Sequence, residues 1–136
     1  MTTETSTMSD VAVVRAGFEA FAGGDVAGFA NMFAADATWN HRNPDRLGGI
    51  HQGVDGIMAF IGESAQLTAG TLRAEPLAIM SDGAGSVAVR VRVSAIRPDG
   101  RAFADLQILL FRVEGDHVAA VDQYVGDPPA VTAFWA

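Results

Sequence analysis

The chain of 136 residues carries 9 basic and 16 acidic side chains, and its net charge of −7 argues against nucleic acid, which requires clustered basic residues. Hydrophobic residues make up 49% and charged residues 18%, as in a globular domain. All the basic residues are Arg and there is no Cys. Schiff-base catalysis on lysine, disulfides and thiolate chemistry are therefore excluded, and a cytoplasmic location is expected.

Residues 1–8 are polar and lack the apolar region of a signal peptide, so we expect a frayed tail followed by a single domain over residues 9–136. No apolar run approaches the roughly 20 residues of a membrane span, so no membrane partner is expected. The three histidines, His41, His51 and His117, share no metal-ligand spacing. We therefore expect neither a metal nor a cofactor.

Helical spacing dominates the first half of the chain. Ser9 can cap a helix whose apolar residues recur three or four positions apart. Gly23-Gly24-Asp25 is typical of a helix end followed by the cap of the next helix, DVAGFANMFAAD. Residues 37–41 predict a short strand, residues 42–52 a loop, and residues 53–66 a third helix.

The apolar period then falls to two, which predicts strands over residues 72–80, 86–96, 102–113 and 117–125. The first of them is expected to bulge at Pro76, and the terminal PAVTAFWA to form a helical turn that docks Trp135. Three helices followed by an antiparallel meander predict an α+β fold, with helices on one face of a curved sheet and a cavity at its open end.

Four segments carry a family resemblance across nearly the whole chain: AFAGGDVAGFANMFAADATW, GIHQGVDGIMAFI, FRVEGDHVAAVDQYVGD and AFWA. They resemble the NTF2-like superfamily and, within it, the SnoaL-like group. That resemblance implies a cone-shaped α+β barrel, with three helices packed on a curved, mainly antiparallel sheet. Members include ketosteroid isomerases, polyketide cyclases, limonene epoxide hydrolases and non-catalytic binding domains, so the fold alone does not settle function.

Position 41 resembles the slot that holds the catalytic base of ketosteroid isomerases and a water-positioning Asn in limonene epoxide hydrolases. Here it is His41. The two oxyanion-binding groups of the isomerases fall near Gly17 and Leu109, and neither is present.

The Arg of the epoxide hydrolases aligns with Arg90, but their two Asp partners fall at Arg92 and Gln123. The chain therefore resembles both enzymes in fold and matches neither in chemistry.

Alternation of polar and apolar residues in two strands predicts a polar seam, meaning polar side chains that face each other across the two strands. One face of residues 86–96 carries valines and the other carries Arg90 and Arg92, while Asp105 and Gln107 share a face of residues 102–113. If Arg97 pairs with Gly100, Arg92 faces Asp105 and Arg90 faces Gln107. A bulge at Gly100 would shift the register by one residue, and the turn chemistry of RPDG favours that bulge. Matching of like faces favours the seam, and we predict the seam.

The predicted catalytic residues are His41, Asp105, Arg90 and Arg92. His41 would shuttle protons, since histidine changes charge near neutral pH, with Asp105 as base or orienting group and an Arg stabilising an anionic oxygen. The predicted substrate-binding residues are Trp39, Gln107, Gln123, Phe18, Met58, Leu109 and Trp135. The alternatives without a functional role place His41 at the rim of the cavity, Arg90 and Arg92 on the solvated outer face of the sheet, and Asp105 at the edge of the sheet.

The leading hypothesis is a cofactor-independent acid–base enzyme acting by cyclisation, isomerisation or dehydration. Its small, apolar, oxygenated substrate would be polyketide- or terpenoid-like, as the resemblance implies. The alternatives are a non-catalytic ligand-binding domain and an epoxide hydrolase. Leu106, Ile108 and Leu110 make the outer sheet face apolar, which predicts a homodimer through that face.

Overall fold

The computed structural model describes residues 9–136, so the tail expected over residues 1–8 lies outside the described residues. The helices are α1 (Asp10–Ala22), α2 (Val26–Asn31), α3 (Gly53–Leu67) and α4 (Pro128–Trp135). The strands are β1 (Phe33–His41), β2 (Gly49–Gln52), β3 (Arg73–Ser81), β4 (Ser86–Ile96), β5 (Ala102–Glu114) and β6 (His117–Tyr124).

The strands form one curved, mixed sheet in the order β2-β1-β6-β5-β4-β3. β3 to β6 form the predicted antiparallel meander, and β1 runs parallel to β6. The first three helices and the terminal helix cover one face of the sheet, where the buried side chains form the core. The α+β prediction is confirmed.

The helix caps form where short polar residues were expected. Ser9 Oγ accepts a hydrogen bond from Ala12 N, and Asp25 Oδ1 accepts one from Gly28 N. Each cap satisfies a backbone N–H that the first helical turn leaves unpaired.

Two features of the strands differ from the prediction, and one predicted bulge is confirmed. β1 begins at Phe33 rather than at Ala37, because its first residues pair irregularly with β6. The short β2 lies within the predicted loop and pairs with β1. The predicted bulge in β3 is confirmed between Pro76 and Ala78, where proline cannot donate to the ladder.

The predicted register of the β4–β5 hairpin is wrong. Gly100 N donates to Arg97 O at 2.9 Å, closing a turn, and Arg97 N donates to Arg101 O at 2.7 Å. Gly100, with φ of 94°, is therefore the extra residue of a bulge. The structure follows the preference of Pro-Asp-Gly for this turn, and cross-strand side-chain matching does not override it.

None of the helices between residues 9 and 136 combines the length and the apolar character needed to cross a membrane.

Replacing Gly100 by Ala should lower the free energy of unfolding by about 1–2 kcal/mol, because an L side chain is strained at this φ. The matched control is Gly62→Ala in α3, where an added Cβ meets nothing within 4 Å. That change should raise stability by up to about 1 kcal/mol through helix propensity. Urea denaturation measures both, and equal effects of the two substitutions would contradict the bulged turn.

Candidate active site

A cavity of about 80 Å³ lies between the helices and the concave face of the sheet. Its walls are mostly aromatic and aliphatic: Phe18, Phe21, Phe29, Met32, Trp39, Leu47, Phe60, Ile61, Leu72, Ala74, Val93, Phe103, Leu109, Phe111 and Trp135. The polar side chains on its wall are His41, Ser64, Gln107 and Gln123. A few polar groups in an apolar concavity are typical of a small-molecule site.

The structure brings most of the predicted ligand-binding residues to this cavity: Trp39, Gln107, Gln123, Phe18, Leu109 and Trp135 all line it, together with His41. Met58 is half-buried and packs against the hydrophobic core instead.

Arg90 and Arg92 do not face the cavity. The bulged hairpin pairs Arg90 with Ile108 and Arg92 with Leu106, so both arginines lie exposed on the outer face of the sheet. Arg92 forms an exposed ion pair of 3.5 Å with Glu75. The expectation that these arginines act on a ligand is therefore wrong, because the one-residue shift turns the valine face of β4 inward. The epoxide-hydrolase alternative loses the Arg it depended on.

Asp105 is buried as expected, but it bonds to the backbone at the start of α4. Its Oδ2 accepts a hydrogen bond from Gly126 N at 2.9 Å, and its Oδ1 accepts one from Asp127 N at 3.0 Å. Gln107 Nε2 donates to the same carboxylate at 3.1 Å. Because its carboxylate accepts these three hydrogen bonds, Asp105 anchors the loop before α4. It is therefore not placed to act as a base in the cavity.

Trp39 and His41 lie two residues apart on the inward face of β1, and His41 pairs with Gln123 of β6 in the sheet register. Both rings reach the same acceptor: Trp39 Nε1 and His41 Nδ1 each lie 2.9 Å from Gln123 Oε1. Gln123 Nε2 donates to Gln107 Oε1 at 2.8 Å. A buried hydrogen-bonded chain therefore runs from the two rings through both amides to Asp105.

The direction of this chain is fixed at both ends. An indole N–H can only donate, so the Gln123 atom beside Trp39 is the oxygen. At the other end, the Asp105 carboxylate accepts from two backbone N–H groups, so it also accepts from Gln107. His41 therefore carries a hydrogen on Nδ1, which donates to Gln123 Oε1.

The second nitrogen of His41 faces a carboxylate. His41 Nε2 lies 2.8 Å from Asp45 Oδ2, and the two side chains are 2% and 0% exposed. Asn43 Nδ2 donates to Asp45 Oδ2 at 2.6 Å, and Leu47 N donates to Asp45 Oδ1 at 2.8 Å. Burial raises the pKa of Asp45, but the hydrogen bonds from His41 and Asn43, the charge of His41 and the Leu47 N–H together hold that pKa below its ordinary value.

Both His41 nitrogens thus face hydrogen-bond acceptors in the ligand-free structure. A neutral imidazole has one hydrogen for two acceptors, whereas the imidazolium satisfies both. His41 and Asp45 therefore form a buried ion pair, which we call the His41–Asp45 dyad.

Ring packing holds the two donors in place. The rings of Trp39 and His41 lie 5.6 and 5.7 Å from that of Phe60, measured between centroids. His51 stacks on the same ring at 4.3 Å, and its Nε2 bonds to Leu47 O at 2.8 Å. His51, which the sequence indicated to be an ordinary loop residue, thus contacts Phe60 behind the dyad.

Asp45 is the functional candidate that sequence reasoning missed. It lies in the loop RNPDRLGG, where carboxylates are usually solvated. The available signal was local: Asp45 follows His41 by four residues, and Pro44 and Gly48 flank it in a turn. An Asp within a Pro- and Gly-containing turn often bonds to the backbone two residues on, as Asp45 does with Leu47 N.

Residues 14–121 match the family model of the SnoaL-like domain. The chain belongs to the SnoaL-like domain family. An uncharacterised protein of Mycobacterium tuberculosis is 30% identical over 128 residues, which cover 94% of this chain and 97% of that protein.

Several solved structures share the fold of this chain. Bal32a, from a soil-derived mobile gene cassette, superposes with a TM-score of 0.89 at 27% identity, covering 93% of this chain and 96% of Bal32a. TerC, crystallised with polyporic acid, has a TM-score of 0.81 at 18% identity over 92% of this chain and 96% of TerC. Further structures described as NTF2-like or cystatin-like confirm the NTF2-like resemblance.

Asp45→Asn should make the free energy of unfolding less sensitive to acidic pH. The pKa of Asp45 is lower in the folded protein than its ordinary 3.8, so the unfolded chain takes up the proton first as pH falls. The stability that Asp45 contributes is therefore complete above about pH 5 and is lost as pH falls through 3.8 and below. We expect the variant to be about 3 kcal/mol less stable at pH 6, as when one partner of a buried ion pair is removed, and the gap to be smaller at pH 3.

Urea denaturation at the two pH values measures this difference, and the control is Asp36→Asn, an exposed residue on β1, the strand that carries His41. Asp82 and Asp99 also have lowered pKa values, the first mainly through the Ala84 backbone N–H and the second mainly through the Arg101 side chain. The Asp45→Asn and Asp36→Asn variants both retain Asp82 and Asp99, so these two residues contribute the same pH dependence to each variant. A constant stability gap between Asp45→Asn and wild type across this range would contradict the ion pair.

Proposed function

We propose that this SnoaL-like protein is a cofactor-independent enzyme that transfers protons on a small, apolar, oxygen-bearing substrate. The observation that carries the proposal is the His41–Asp45 dyad at the wall of an aromatic cavity. Asp45 keeps a hydrogen on Nε2, so Nδ1 is the nitrogen that gains and loses a proton on the cavity side. Orientation of an imidazole by a buried carboxylate is the arrangement used in hydrolase triads.

Among the described residues that line the cavity, His41 is the one titratable side chain. The reaction must therefore run on a single proton shuttle. His41 as imidazolium donates its Nδ1 proton to a substrate oxygen, and the neutral ring then accepts a proton from carbon. This cycle returns His41 to its starting state and balances loss of water or ring closure onto a carbonyl. Isomerisation adds a second pair of transfers, in which His41 protonates another carbon and takes the proton back from the oxygen.

The size of the cavity limits the substrate. At roughly 10–15 Å³ for each water-sized site, about 80 Å³ has room for about five to eight non-hydrogen atoms. Within the polyketide- or terpenoid-like class we therefore propose the smallest members, carrying one carbonyl or hydroxyl group. The fold neighbour TerC was crystallised with polyporic acid, which supports an oxygenated cyclic ligand for this type of cavity.

His41→Gln should reduce kcat/KM by about 10²–10⁴-fold, since it removes the proton that is transferred. Asp45→Asn should reduce it by about 10²-fold or more through loss of the oriented tautomer. The assay follows small enones, β-hydroxy ketones and cyclic ketones in D2O by proton NMR, detecting double-bond migration, loss of water and exchange beside the carbonyl.

The controls are Arg90→Gln and Arg92→Gln, which should stay within about twofold of wild type because both arginines lie on the outer face. Loss of activity in the arginine variants alone would contradict the dyad. If a ligand binds through His41 and is not converted, the result favours a non-catalytic binding domain instead. The polar chain in the cavity, in which every member is hydrogen-bonded, also supports that alternative.

We also propose a homodimer through the outer face of the sheet. Leu106, Ile108, Leu110 and Tyr124 are 37–47% exposed and lie together on β5 and β6. Arg90 and Arg92 border this strip on one side and Asp122 on the other. Asp122 already forms an ion pair with Arg42 at 2.9 Å, so the attraction between copies would come from the apolar strip, which a two-fold axis would bury against its own copy.

Ile108→Glu should convert the dimer to a monomer in light scattering at micromolar concentration, because it places a charge in the apolar centre of the strip. Val26→Glu is the control, since Val26 is 67% exposed but lies on α2. A wild-type monomer, or a dimer that survives Ile108→Glu, would contradict this interface.

A further inference from the structure

We infer that the side-chain oxygen of Gln123 occupies the position of the substrate oxygen, and that a ligand with a neutral carbonyl group binds by displacing it. This inference rests on the proposed function and identifies the ligand chemistry and a specificity-determining residue. Its starting point is the convergence of Trp39 Nε1 and His41 Nδ1 on one oxygen, each at 2.9 Å.

Two donors that converge on one acceptor form a binding site for a carbonyl oxygen. In the structure the chain itself supplies that acceptor, as Gln123 Oε1. All three side chains line the cavity, so a ligand can reach the same point from inside the cavity.

The acceptor is the more mobile partner. Both donor rings pack against Phe60, and His41 is also held by Asp45 at 2.8 Å. Gln123 has three rotatable side-chain bonds, and its amide is anchored at the far end only by the 2.8 Å bond from Nε2 to Gln107 Oε1. Rotation of this amide would free both donors without moving either ring.

The charges select the kind of oxygen. In the imidazolium form that satisfies both of its acceptors, His41 is balanced by the Asp45 carboxylate at 2.8 Å, so the pair carries no net charge. A carboxylate ligand would add an uncompensated negative charge in an apolar cavity, which is costly. A ketone or aldehyde oxygen accepts from both donors and adds no charge. The inferred ligand is therefore an apolar compound with a single neutral carbonyl group.

Gln123→Met tests the inference, because it keeps the length of the side chain and removes the oxygen that competes with the ligand. The variant should bind cyclohexanone about tenfold more tightly than wild type. Methylcyclohexane, of similar size but without oxygen, should change by no more than about twofold in affinity. Gln123→Ala is the second variant, in case the methionine side chain fills the freed space, and exposed Gln66→Met is the matched control.

The direct readout is the indole N–H resonance of Trp39 in nitrogen-15 NMR. The chain has two tryptophans, and the resonance that is missing from a Trp39→Phe variant identifies the Trp39 signal. In the Gln123 variants this resonance should move upfield in the free protein and return downfield with cyclohexanone, but not with methylcyclohexane. Equal gains in affinity for both ligands, or tighter binding of cyclopentanecarboxylate than of the ketone, would overturn the inference.

The two proposals can fail separately. If cyclohexanone binds wild type and binding requires His41, but the Gln123 variants bind it no more tightly, displacement is refuted and the proposed function stands. If His41→Gln leaves ketone binding and turnover unchanged, the proposed function is refuted as well. Absence of ketone binding in wild type and in both Gln123 variants would refute both.

Discussion

The turn at Pro98-Asp99-Gly100 decides which side chains the cavity contains. Because Gly100 adopts a left-handed conformation as an extra residue, every β4 residue pairs one position away from the unbulged register. Valines of β4 therefore face inward beside Asp105 and Gln107, while Arg90 and Arg92 face outward. None of the described residues that line the cavity is therefore an arginine, and His41, which does line it, is paired with Asp45 behind the wall. The proposed chemistry follows from this one local constraint.

Within the cavity, the polar groups form a continuous chain that begins at the loop before α4 and ends at two aromatic rings. Each link has one permitted direction, because an acceptor-only carboxylate lies at one end and a donor-only indole at the other. A satisfied buried chain of this kind is rigid, while one that loses a partner is costly. Asp105 therefore positions Gln107 and Gln123 from outside the cavity.

The dyad places a charge in surroundings that disfavour charge, and it is tolerated because each partner is fully bonded. Asp45 receives hydrogen bonds from His41, Asn43 and the Leu47 backbone, and His41 is bonded at both nitrogens. In the ligand-free state His41 bonds to the protein rather than to solvent. A substrate would therefore exchange one internal acceptor for its own oxygen, which requires much less desolvation than bringing His41 out of water.

The sequence by itself determined the order of the first three helices and of the meander strands, the caps at Ser9 and Asp25, the bulge at Pro76 and the position of His41, because these depend on local propensity and on apolar periods of two and 3.6. It also contained the correct register, since Pro-Asp-Gly favours the bulge, but side-chain matching argued against it. Only the tertiary structure decided that Asp45 returns beneath His41, that Asp105 bonds to the backbone, and that Gln123 lies between two ring donors. These contacts join residues from different elements or across an irregular loop, and no local pattern fixes their distances.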